Sequence, residues 1–154
     1  MQVYDSCAEV LGMLAKKPEG FDGFFRRVGY TALLPLLRMP HRRVLSELSK
    51  ALAEAGASPD VAAQISPSAL VAFALRSPSE FWAGQAIRWL SEGFPIDVDI
   101  LKAGDEMITS KRGTQSTRRD LFRTLRKWER KRYGSRYTVR LSLLRVLVRR
   151  VRSR

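Results

Sequence analysis

Apolar and polar residues along this chain recur with the period of a helix almost from end to end. Val10, Leu11 and Leu14 follow Asp5 and Ser6, either of which can cap a first helix. Residues 22–39, "DGFFRRVGYTALLPLLRM", predict a second helix, bent or broken near Pro35, where a backbone N–H is missing. Pro40 opens a third, with Val44, Leu45, Leu48 and Leu52 on one apolar stripe and Gly56 as its terminator. "SPDVAAQIS" and "SPSALVAFALRS" then start alike: a serine able to cap precedes a proline at the first helical position. In "SPSEFWAGQAIRWLSEG" (77–93), Glu80 stands three residues after Ser77, the spacing of a capping box. "PIDVDILKAGDEMITS" predicts a helix capped by Asp97, with Asp99 in the first turn, where negative charge suits the helix dipole.

The stretch "RRDLFRTLRKWERKR" (118–132) divides into two faces. Thr117 followed by Asp120 has capping-box spacing, which starts the helix at 117 or 118. At about 100° per residue, Leu121, Leu125 and Trp128 cluster within about 60°, with Phe122 beside them. Arg119, Arg123, Arg126 and Arg130 cluster within about 60° on the opposite side, and Lys127 and Lys131 widen that row. The last segment, "SRYTVRLSLLRVLVRRVRSR" (135–154), alternates like a strand at Val139, Leu141 and Leu143, but Leu144 breaks the alternation. Read as a helix, it sets Arg145, Arg149 and Arg152 on a narrow polar strip. Strand signals are otherwise nearly absent, with no Asn-Gly hairpin turn.

The pattern therefore predicts an all-α chain, residues 1–154 forming a single-domain helical bundle of about seven to nine helices. A weak internal echo offers an alternative. "LRMPHRRVLSELSKALAE" (37–54) lies over "LRSPSEFWAGQAIRWLSE" (75–92) at a spacing of 38 residues, the period of a short HEAT-like α-solenoid.

Charge changes the picture more than composition does. Of 28 Lys and Arg and 15 Asp and Glu, residues 1–110 hold 11 and 13, and residues 111–154 hold 17 and 2. The net charge of +13 is therefore the sum of −2 and +15, all of the excess lying in the basic C-terminal helical part, 111–154. Like charge at that density repels itself, and Asp120 and Glu129 are its only offsets, so a polyanionic partner is expected: nucleic acid first, an acidic protein or anionic membrane surface second.

Candidate chemistry is sparse. One histidine, His41, rules out paired-histidine zinc motifs; beside Arg42 and Arg43 it reads as solvated or phosphate-facing. One cysteine, Cys7, forms no intrachain disulfide, reads as a small core residue and suits a cytoplasmic setting. Glycines are scattered, without a phosphate-cradling loop. Asp97, Asp99, Asp105 and Glu106 are the only plausible metal cluster, and a capping role accounts for the first two without catalysis. No enzyme activity, metal or cofactor is expected. The N-terminus lacks the pattern of a signal peptide, and no apolar run approaches the roughly 20 residues of a membrane span.

The expected site is thus the arginine face. Its members stand roughly 4.5–6 Å apart along the axis, the scale on which neighbouring phosphates follow one another. Arg119, Arg123, Arg126 and Arg130 would carry binding, supported by Lys127, Lys131, Arg145 and Arg149, with Arg42 and Arg43 extending the surface. Trp82, Trp89 and Trp128 read as core residues, whereas Tyr133 and Tyr137 flank Gly134 among basic residues and are better placed to stack on bases. Phosphate contacts of this kind bind without reading sequence.

In their order, "LSKALAEAG" (48–56), "PIDVDILKAGDEMI" (95–108) and "RTLRKWERKRYG" (123–134) resemble the small subunit of the type I CRISPR Cascade complex. That family is of similar size, all-helical and basic. It often has Trp directly after the Asp that here is followed by Val98. The resemblance implies a non-catalytic subunit of a ribonucleoprotein complex that lines the complex's backbone and steadies the displaced DNA strand.

Overall fold

Four serine and aspartate side chains close the starts of their own helices. Ser6, Ser58, Ser66 and Asp97 accept the N–H three residues ahead, from Glu9, Val61, Ala69 and Ile100, satisfying donors a helix start leaves unpaired. They open α1 (Cys7–Ala15), α4 (Pro59–Gln64), α5 (Pro67–Arg76) and α7 (Val98–Thr109). The other helices are α2 (Gly20–Val28), α3 (His41–Glu54), α6 (Glu80–Ser91) and α8 (Gln115–Tyr133). The computed structural model describes residues 5–133, and among these there is no strand. The expected tail helix lies outside the described residues.

Helix ends follow backbone geometry. After α3 and α6, Gly56 and Gly93 adopt φ of 76° and 100°. The next residue then bonds five residues back: Ala57 N–H to Leu52 O at 3.0 Å, and Phe94 N–H to Trp89 O at 2.9 Å. The same closure ends α7 through Arg112 N–H to Met107 O, but there Lys111 holds the left-handed position, at φ 55°.

The expected helix over 22–39 is two elements. Gly29, at φ 60° and ψ −145°, turns the chain, and a 3-10 segment runs through Gly29–Arg38 with Pro35 inside it. The break falls at the glycine, not at Pro35. A 3-10 segment this long is unusual, and tertiary contacts hold it. Leu33, Leu34, Leu36 and Leu37 are buried, and at three residues per turn 33 with 36 and 34 with 37 stack into two rows. Arg88 Nη2 donates to Leu37 O at 2.7 Å and Met39 O at 3.3 Å, and Trp89 Nε1 donates to Met39 O at 2.8 Å. The bonds from α6 satisfy carbonyls that the end of the segment would otherwise orphan.

The helices pack around one core. The 3-10 segment, α5 and α7 lie side by side, α6 and α8 pack together on α5 and α7, and α1 joins α3, α2 and the 3-10 segment. The helix bearing the arginine face is seated closely at Gly104 of α7: a Cβ there would meet Leu125 Cδ1 at 3.0 Å.

Tertiary packing overrides the sequence pattern at several positions. Leu45 is exposed although it shares the stripe of Val44 and Leu48. His41 is buried rather than solvated, at 7% exposure, between Trp89 and Phe94, with Nδ1 3.7 Å from a Glu92 carboxylate oxygen. Its position at the start of α3, against the end of α6, encloses the ring that proximity to Arg42 and Arg43 suggested would face water. Cys7 is buried as expected, and burial, then the nearby Glu47 carboxylate, pushes its thiol up to about 11.

Candidate nucleic-acid interface

Thr114 caps the helix over residues 115–133. Thr114 Oγ1 accepts the Thr117 N–H at 3.3 Å, two to three residues earlier than the Thr117–Asp120 spacing implies. Glu80 does not form the box expected with Ser77. Instead its Oε1 accepts the Thr114 N–H at 3.2 Å and the Thr117 hydroxyl at 2.6 Å, and these bonds lower its carboxyl pKa below the ordinary value. The loop ahead of α8 is fastened by Arg118, which donates to the carbonyls of Lys111, Arg112 and Gly113. Arg112 donates to Arg76 O. Two arginines of the basic run therefore build the fold.

Beyond that loop the two faces separate as expected. Leu121 and Leu125 are buried against α6 and α7, and Trp128 packs at the edge of the core. Arg119, Arg123, Lys127, Arg130 and Lys131 are exposed. Arg123 lies 3.7 Å from Asp120, an open surface pair of small energetic weight.

Arg126 differs from the other three arginines. It is 28% exposed, 3.8 Å from the carboxylate of Glu129, and its guanidinium sits 5.3 Å from the Phe122 ring centre. Glu129 is itself buried, so Arg126 neutralises a carboxylate held in the core's margin. The wheel carries that signal: Glu129 falls about 40° from Leu125, on the packed side. Phe122 sits about 60° beyond Leu125 and is 44% exposed, where the sequence placed it beside the core stripe.

The remaining expected residues are not brought onto this face. Arg42 and Arg43 stand on α3, which packs chiefly on α1, and Arg43 Nε bonds Glu47 at 2.8 Å. Arg145, Arg149 and Tyr137 lie outside the described residues. In the acidic cluster, Asp97 Oδ1 caps α7, its Oδ2 accepts from Ser68 Oγ, and Glu106 pairs with Arg76 at 2.9 Å. No group of three or more metal-ligating side chains converges among the described residues. No described helix is long and apolar enough to cross a membrane. A groove of about 490 Å³ between α1, α2 and the 3-10 segment is mainly apolar, with Lys16 and Lys17 at its rim.

No family model, curated protein or solved structure matches this chain.

Proposed function

We propose that this protein is a non-catalytic nucleic-acid-binding subunit that grips phosphates irrespective of sequence, in a cytoplasmic ribonucleoprotein complex. The observation that carries this reading is the exposed row Arg119, Arg123 and Arg130, flanked by Lys127 and Lys131, on a helix whose opposite side is buried through Leu121 and Leu125. The core fixes the helix, so the basic side chains stand in a row without any ligand to order them. Residues 111–154 carry the +15 that would draw a polyanion to that row. The likeness of three segments to the Cascade small subunit suggests a CRISPR effector complex as the setting and the displaced strand as a ligand.

A second reading has its own observation. At the 38-residue spacing, the 3-10 segment at 29–38 falls on α5 at 67–76, and α3 at 41–54 falls on α6 at 80–91. That periodicity supports a HEAT-like scaffold docking an acidic protein through its basic end.

Salt titration of fluorescent single-stranded and duplex oligonucleotides separates the two readings. Phosphate binding requires log K to fall linearly with log salt, by about 0.7 per contact for single strands. The triple variant R119E/R123E/R130E should lose binding while retaining wild-type circular dichroism. Unchanged affinity in that variant would overturn the assignment.

A further inference from the structure

An exposed phenylalanine on its own needs no explanation. Phe122 differs in where it stands. It is 44% exposed on the border between the packed side of α8 and the arginine face. Arg119 is three residues before it and Arg126 four after, so both lie within about 60° of it around the axis and within about 4.5–6 Å along it. The Arg126 guanidinium lies 5.3 Å from the ring centre, and Arg126 is held in turn by Glu129 at 3.8 Å. The ring is thus braced at one side by a cation anchored to a buried carboxylate. Aromatic rings beside phosphate-binding cations accept the flat face of any base, which adds affinity without sequence choice. Paired bases keep their faces inside the duplex, so only an unpaired nucleotide can use such a ring.

We propose that Phe122 is a base-stacking subsite at the edge of the arginine face, adding a salt-insensitive increment of affinity for unpaired nucleotides. The inference rests on the nucleic-acid reading above and adds a separable contact to it. Stacking releases no counterions, whereas phosphate contacts do. Loss of the ring should therefore displace the salt line without tilting it, and loss of an arginine should tilt it.

The test uses the full chain, a 20-nucleotide oligothymidylate, a duplex of the same length, and an oligothymidylate carrying one 2-aminopurine. Phe122→Ala and Phe122→Leu should weaken single-strand binding by about tenfold, leave the salt slope unchanged, and change duplex binding less than twofold. Phe122→Trp should restore single-strand affinity. Wild-type protein should quench 2-aminopurine fluorescence, and Phe122→Leu, which keeps apolar bulk without a π face, should not. Equal losses for single strand and duplex, or full affinity in Phe122→Leu, would overturn the subsite while leaving the phosphate reading intact. Absence of binding by the wild-type chain would overturn both.

Discussion

Glu80, in the first turn of α6, accepts the backbone N–H of Thr114 although 34 residues separate them. In a local capping box, a Glu or Gln at the third helical position accepts the cap residue's N–H. Here Thr117 occupies that position, and Glu80 supplies the carboxylate from the neighbouring helix. The same substitution of a distant acceptor recurs twice. The third helical positions of α4 and α5 are Val61 and Ala69, and the cap N–H groups of Ser58 and Ser66 go to Asp22 at 3.0 Å and to the Tyr30 hydroxyl at 3.1 Å. Helix starts are thereby tied to tertiary neighbours.

This arrangement makes the start of α8 acid-sensitive. The bonds from Thr114, then Thr117, hold the Glu80 carboxyl below its ordinary 4.5, so the folded state favours the ionised form. Its contribution is complete above pH 4.5 and is lost as pH falls through the lowered folded value. Glu80→Gln should melt below wild type at neutral pH, with faster exchange of the Thr114 amide that the carboxylate accepts. The gap between the two should close on acidification below about pH 4.5. A gap that stayed constant from pH 7 to pH 3 would refute the link.

Arg126 should behave unlike its neighbours on the same face. Arg126→Ala leaves the buried Glu129 carboxylate without its cation and should cost about 1–3 kcal/mol. Ala at Arg119, Arg123 or Arg130 should stay within about 0.5 kcal/mol of wild type. Urea unfolding of the four variants checks this, and equal stabilities would show that the Arg126–Glu129 contact carries no energy.

Lys111 offers a stabilising change. At φ 55° its Cβ crowds the backbone in a conformation that favours glycine, at the position held by Gly56 and Gly93 after two other helices. Relief of that crowding is partly offset by the greater freedom glycine has in the unfolded chain. Lys111→Gly should therefore raise stability by about 0.5–1 kcal/mol, read as a higher urea midpoint at unchanged slope. A lower midpoint would show that the lysine side chain contributes more than its backbone costs.

How much was legible in advance depended on the reach of each interaction. The caps at Ser58, Ser66 and Asp97, the terminator Gly56, and the two faces of α8 involve residues within about two turns of one another. A side chain three residues from its acceptor meets it in any surroundings, so these features can be read from spacing alone. Glu80, three residues after Ser77, satisfied a local rule and still went elsewhere, because the competing donors at Thr114 and Thr117 lie on a helix that only packing brings near.

The all-helical class, most helix starts, and the segregation of Leu121 and Leu125 from Arg119, Arg123 and Arg130 were legible in the chain alone, since all follow from backbone propensity and a 3.6-residue period. Tertiary structure alone decided that His41 and Glu129 are enclosed, that Leu45 and Phe122 face water, that residues 29–38 wind as a 3-10 segment, and that Arg112, Arg118 and Arg126 brace the fold. Burial is a property of what lies opposite a side chain, and no local pattern specifies which helix that will be.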